Sequence, residues 1–328
     1  MQNGNTSQEQ EQASLTGVLC TFTAACSQLT FLAEMDMYIF LNNKIVQEAD
    51  AVVSVFDHGF LYGDGIYETM RAYDGIVFMI ERHLERLARS ASMTRLTIPD
   101  KGFIATAVQR TLEANQLSGA YIRVTVSRGK GPIGLDPALC KEPTFVVIAE
   151  PFREYPEHLY NNGVKLVVAN TRRNLVEAIN PKIKSLNFLN NIFAKVEAKE
   201  RGAYEAIMLN VEGVIAEGTV SNIFFVKENV LCTPAPEVGV LDGITRELVI
   251  GVAKKSGVMV NEGRFYPSDL LSASEVFFTN TTSEIMPVSQ VESVLFKVGE
   301  VTKSLHALYK EEVSRYMISA KHKSRGIG

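Results

Sequence analysis

Two lysines stand two residues apart in NPKIKSLNFLNNIFAKVEA (180–198), and either could attack a carbonyl. Lysine does this as the free amine, whereas a solvated lysine, with a pKa of about 10, is an ammonium. Pro181 blocks helix on its N-terminal side and Ser185 is a good N-cap. Leu186, Leu189, Phe193 and Val196 then recur at helical spacing. This pattern predicts a helix from about Leu186, with Lys184 just before its positive end, where the dipole favours the neutral amine. Alternation does not separate Lys184 from Lys182, which would share its strand face, and both also fit solvated charges beside a helix.

A second stretch could hold an anion. LDGITRELVI places Gly243, Ile244 and Thr245 at a helix start, where unpaired N–H groups and the dipole favour a dianion. GFLYGDG fits neither a dinucleotide-binding nor a P-loop spacing. Taken alone, Arg86 reads as an exposed helix charge and Glu217, beside Gly218, as a turn residue. The four cysteines (Cys20, Cys26, Cys140, Cys232) form no C-x-x-C pair and the five histidines add no zinc-type spacing. Unpatterned cysteines fit a reducing compartment, hence a cytoplasmic protein. A net charge of −4 with scattered Lys and Arg points away from nucleic-acid and membrane-surface partners.

The elements that must carry these groups read as α+β. Residues 1–36, polar and Gln-rich and then moderately apolar, are expected to be a disordered extension or to precede a true start at Met37 (or Met35). Asn42-Asn43 and Asp74-Gly75 mark hairpins. Leu84, Leu87 and Ala91 lie at helical spacing. A second helix should follow Pro99-Asp100, burying Phe103, Ile104, Ala107, Val108 and Leu112. YIRVTVSRG and PTFVVIAE read as strands. Prolines and charges at 151–160 suggest an interdomain loop between a small domain (37–150) and a larger one (161–320), with a tail at 321–328. A closing helix is expected over roughly Val301–Met317.

Six motifs in order carry a resemblance: DHGFLYGDGIYETMRAYDG, ERHLERL, KSLNFLNNIFAKVEA, IAEGTVSNIFF, LDGITREL and TNTTSEIMPV. The chain resembles the class IV, fold type IV pyridoxal-phosphate enzymes over Met37 to about Met317. That group includes branched-chain and D-amino acid aminotransferases and aminodeoxychorismate lyases. The resemblance implies a two-domain α+β fold, with a smaller N-terminal α/β sandwich and a larger C-terminal pseudo-barrel. It implies pyridoxal 5′-phosphate as cofactor, a Schiff base on Lys184, a pyridoxamine phosphate intermediate and at least a homodimer. The implied phosphate site is Arg86, Ile244, Thr245 and Thr281, with Glu217 at the pyridine nitrogen. Tyr62, Tyr67, Arg123 and Thr282 are implied for the substrate.

Within the group, Ile133 and Leu135 stand where D-amino acid aminotransferases tend to carry Arg and His, while GLDP, AEP and TRRN resemble bacterial branched-chain enzymes. Thr69 replaces a Gly of those enzymes and Phe188 a Tyr. FLYGDG…YET and LDGITR…LYKEEV are also similar to the lyases. The expectation is transamination of branched-chain L-amino acids with 2-oxoglutarate. The alternatives are lyase activity, releasing pyruvate and 4-aminobenzoate, D-amino acid transamination, or a cofactor-binding homologue without turnover.

Overall fold

The computed structural model describes residues 37–325, so the expectation for residues 1–36 lies outside it. The first sheet is built from β1 (Tyr38–Leu41), β2 (Lys44–Gln47), β3 (Gly65–Tyr73), β4 (Ile76–Val77), β5 (Ala120–Ser127) and β6 (Thr144–Pro151), in the order β2-β1-β6-β5-β3-β4. Every pairing in it is antiparallel. Both expected hairpins are present, and in the second Asp74 and Gly75 take positive φ (48° and 78°), as a type I′ turn requires.

Helix α1 (His58–Tyr62) precedes β3, and α2 (Ile80–Thr94) and α3 (Lys101–Ala114) cover the sheet. Asp100 caps α3 by accepting from the Phe103 amide at 2.9 Å. Leu84, Leu87 and Ala91 of α2 and Ile104, Ala107, Val108 and Leu112 of α3 bury against the apolar residues of β5, Ile122, Val124 and Val126. Ala120 joins them, whereas Tyr121, Arg123, Thr125 and Ser127 face away, so the alternation in the sequence is the alternation of the sheet.

After α4 (Glu157–Asn162) the chain builds a second, nine-stranded sheet. Its strands are β7 (Val164–Val168), β8 (Glu205–Leu209), β9 (Ile215–Gly218), β10 (Asn222–Lys227), β11 (Val230–Pro234), β12 (Val260–Gly263), β13 (Glu275–Asn280), β14 (Glu284–Val291) and β15 (Val294–Leu295). They run β12-β11-β10-β13-β14-β7-β8-β9, with β15 on β14, and the sheet curls until β9 lies against β10. The helices are α5 (Leu189–Glu200), α6 (Ile244–Lys255), α7 (Pro267–Leu271) and α8 (Glu300–Arg325). Adjacent phenylalanines divide the two faces of the sheet: Phe225 and Phe278 enter one core, Phe224 and Phe277 another beneath α6 and α8. Burial on both faces explains the continuous apolar stretches AIML in β8, IFFV in β10 and VFF in β13.

Two expected elements differ. The closing helix continues to Arg325, through part of the expected tail. The helix expected from about Leu186 begins at Leu189, with Phe188 as its N-cap and no side-chain cap. Its expected apolar face is also turned outward: α5 buries Asn191, Ala194 and Ala198 and leaves Leu189, Phe193 and Val196 exposed. Among the described residues no helix is long and apolar enough to cross a membrane.

Candidate active site

Strand β4 pairs only with Ala72 and Tyr73, which leaves the beginning of β3 without a neighbour on that side. Residues 184–186 fill the gap. The Tyr67 amide donates to the Lys184 carbonyl and the Leu186 amide to the Gly65 carbonyl, both at 2.9 Å. Ser185 forms an antiparallel bridge with Ile66. The Lys184 amide donates to Ser90 Oγ of α2 at 3.1 Å, and Asn187 Nδ2 to the Gly63 carbonyl at 3.1 Å. Gly65 permits this approach, because a Cβ there would stand 2.6 Å from Leu186 Cδ1 and 2.8 Å from the Val126 carbonyl. This pairing delays the helix and corrects the expectation for Ser185, whose Oγ accepts from the Asn187 amide at 3.3 Å instead of capping α5. The sequence signal was a helix start; tertiary pairing with β3 overrode it.

The side chain of Lys184 projects over the Tyr67 ring, with Nζ 4.5 Å from its centroid. Burial, reinforced by the charge of Arg86, pulls this amine down to about 8 against the opposing effect of Glu68 and Glu217. Burial and a neighbouring guanidinium therefore produce the amine that the sequence reading attributed to a helix dipole.

Lys184 shares one cavity of about 710 Å³, its open mouth included, with Arg86, Glu217, Ile244, Thr245, Thr281 and Tyr67. Helix α6 opens into it with Gly243 as an N-cap that offers no side chain, so its first N–H groups are left for a ligand. Gly243 is required there, since a Cβ would lie 2.0 Å from Asn222 Oδ1. Thr281 follows β13 in a turn held by Asn280 Oδ1, which accepts from the amides of Thr282 and Ser283 at 3.0 and 2.7 Å.

Arg86 is buried, not an exposed helix charge. Its Nε and one terminal nitrogen donate to the two oxygens of Glu68, each at 2.7 Å, and its other terminal nitrogen donates to the Asp242 carbonyl at 2.9 Å. Glu217 of β9 is equally constrained. Its Oε1 accepts from Arg173 Nε at 2.6 Å, and its Oε2 from the Leu241 amide at 2.9 Å and Asn222 Nδ2 at 3.3 Å.

The remaining candidates do not line this cavity. Arg123 stacks its guanidinium over the Tyr67 ring at 4.0 Å and donates to Thr125 Oγ1 at 3.2 Å. Tyr62, partly exposed on α1, accepts from the Gly134 amide at 3.1 Å. The Thr282 hydroxyl lies 3.1 Å from that of Tyr155. Conversely, the sequence reading overlooked Arg173, Asn222 and Glu68. Arg173 stood within the quoted TRRN, where nothing in the pattern distinguished it from Arg172. Glu68 carried no signal beyond its place on the core face of β3.

The sequence profile of the class IV amino-transferases matches residues 65–291. The chain belongs to the class IV aminotransferases. A Methanocaldococcus jannaschii protein provisionally named a branched-chain-amino-acid aminotransferase is 45% identical over 279 residues, covering 84% of this chain and 96% of that protein. The aminodeoxychorismate lyase of Bacillus subtilis is 35% identical over 280 residues, covering 84% and 94%. A solved branched-chain aminotransferase from T.th., holding pyridoxamine 5′-phosphate, superposes with a TM-score of 0.82 at 30% identity, covering 86% of this chain and 95% of that one.

This aminotransferase is a pyridoxal-5′-phosphate-dependent transaminase acting on amino and oxo acids. The cavity fits that cofactor. It offers a lysine amine near neutrality, a buried guanidinium beside an uncapped helix start, and a carboxylate fixed by three donors. Two hydroxyl oxygens of lining residues, Thr279 Oγ1 and Ser221 Oγ, are buried without a partner. An unmet buried hydroxyl is costly, and a phosphate-bearing ligand can meet one. When bound, pyridoxal phosphate supplies an electron sink that makes the substrate Cα–H acidic and carries the amino group between two acids.

Proposed function

We propose that this transaminase exchanges the amino group of branched-chain L-amino acids with 2-oxoglutarate. The observation that carries the reading is a half-buried lysine with a depressed pKa in one cavity with a guanidinium, an uncapped helix start and Glu217. Lys184 would hold the cofactor covalently, and its Nζ would move the proton at the substrate Cα. Arg86, Ile244, Thr245 and Thr281 would hold the phosphate, and Glu217 would serve the pyridine nitrogen. Tyr67, Arg123, Tyr62 and Thr282 serve the substrate, with Tyr67 nearest the lysine.

Tyr67 and Phe188, edge to face at 5.5 Å, offer aromatic surface next to Lys184 that suits an aliphatic side chain. Such surface discriminates by roughly 1–3 kcal/mol per methylene, so several aliphatic amino acids should be accepted. Ile133 and Leu135 supply no cation for the carboxylate of a D-amino acid. The names of the Methanocaldococcus relative and of the pyridoxamine-phosphate-bound structure support the same substrate class.

The test is the cofactor absorbance of the purified protein. L-leucine should convert the spectrum and 2-oxoglutarate should restore it. Conversion by D-alanine alone would overturn the stereochemical reading. An unchanged spectrum with every amino acid, together with pyruvate release from aminodeoxychorismate, would favour the lyase.

The protein acts in the cytoplasm as a homodimer in this reading. Leu189, Ile192, Phe193 and Val196 form an exposed apolar stripe on α5, and a second copy is the occupant proposed for it. Sedimentation should give twice the chain mass, and Leu189→Asp/Phe193→Asp should reduce it to the monomer. A native protein sedimenting as a monomer would refute the dimer.

A further inference from the structure

Glu68 is fully buried and does not line the cavity, yet it holds a residue that does. A guanidinium has five N–H bonds. In Arg86, Nε–H and one N–H of a terminal nitrogen go to the two Glu68 oxygens, and one N–H of the other goes to Asp242. One N–H remains on each terminal nitrogen. The fork cannot rotate without breaking the paired bonds to Glu68. His83, also buried, lies with Nδ1 2.8 Å from Glu68 Oε2. Burial keeps its ring neutral, so Nδ1–H donates and fixes the carboxylate in turn.

We propose that Glu68 is a positioning residue for the phosphate seat: it fixes the guanidinium of Arg86 from the side away from the cavity and offsets its charge beside Lys184. The proposal rests on the reading of Arg86 as the phosphate's cation. Chain length matters as well as charge, because both oxygens must reach the fork. The charges facing Lys184 come from several elements: Arg86 of α2, Glu68 of β3, Glu217 of β9 and Arg123 of β5, and the Tyr67 ring is in contact with both Lys184 and Arg123. Glu68 is the carboxylate bonded directly to Arg86. With it neutralised, Lys184 would face that guanidinium with Glu217 alone opposing it.

The experiment compares the full-length apoprotein with Glu68→Asp, Glu68→Gln and Arg86→Lys, using pyridoxal phosphate and phosphate-free pyridoxal as probes. Glu68→Asp keeps the charge and shortens the reach. It should weaken pyridoxal phosphate binding about tenfold, the scale on which supporting residues of a bound group act, and leave pyridoxal binding unchanged. Glu68→Gln removes the charge. It should lower the pH midpoint of covalent pyridoxal capture by about one pH unit, whereas Glu68→Asp leaves that midpoint in place.

Native affinity for pyridoxal phosphate in Glu68→Asp would overturn the positioning role, as would an equal loss for both probes. An unmoved midpoint in Glu68→Gln would overturn the charge role. If Glu68→Gln does not fold, the two-probe comparison on Glu68→Asp decides alone. Should Arg86→Lys keep the full preference for pyridoxal phosphate over pyridoxal, the assignment of Arg86 itself fails. Should it lose that preference while Glu68→Asp keeps it, only the proposal for Glu68 fails.

Discussion

A lysine titrating at about 8 presents a sizeable fraction of free amine at neutral pH, where one at 10.5 presents almost none. Covalent capture of pyridoxal by the apoprotein should therefore rise with pH through a midpoint near 8, followed by absorbance. Lys184→Ala should abolish capture and cut transamination by roughly 10³-fold or more. Lys182→Ala should leave both unchanged, which separates the two lysines that sequence alternation could not. Glu68 titrates in the opposite sense. Burial would raise its carboxyl, but the charge and hydrogen bonds of Arg86, with His83, hold it at about 2 against 4.5 when unfolded. That difference contributes about 3 kcal/mol of stability, fully present above pH 4.5 and lost as pH falls through about 2. Denaturant titrations between pH 6 and 2.5 should show this loss, and Glu68→Gln should lose much of the dependence.

Helices and strands were legible where one face alone is buried. The helical spacing in α2 and α3, the alternation of β5 and the Asp74-Gly75 turn all reflect contacts within a few residues or on one face of one sheet. What could not be read was placed by partners distant in sequence. The start of α5 moved because residues 184–186 pair with β3, and its apolar stripe could not announce which side the protein would cover. The buried setting of Arg86 was hidden likewise, since its carboxylate partner lies on another element. Gly65 connects these levels. Gly65→Ala should force β3 and the lysine segment apart, costing about 1–3 kcal/mol of stability. Its cofactor affinity should fall further than a thermal melt alone would suggest, and native cofactor affinity in this variant would show that the close approach is dispensable.

Across the whole molecule, the two sheets are joined by buried polar contacts as well as by the cavity. Glu284 at the head of β14 accepts from Arg71 and Tyr73 of β3, each at 3.0 Å, and its other oxygen lies 2.9 Å from His306 of α8. Arg86 and Tyr67 reach the cavity from the first sheet and its helices, Glu217, Thr245 and Thr281 from the second. Lys184 follows β7 in the chain, yet its backbone is held by β3 and α2. The chain thus leaves the first sheet, begins the second, and returns for a single short stitch before α5 resumes. That stitch gives the protein a timetable. Its contacts join stretches more than ninety positions apart, as between Lys184 and Ser90, and loop closure over such distances comes late. On refolding from denaturant, circular dichroism should recover before the ability to capture pyridoxal does. The reactive amine would be among the last features of the native state to appear, so a partly folded chain would not trap the cofactor prematurely.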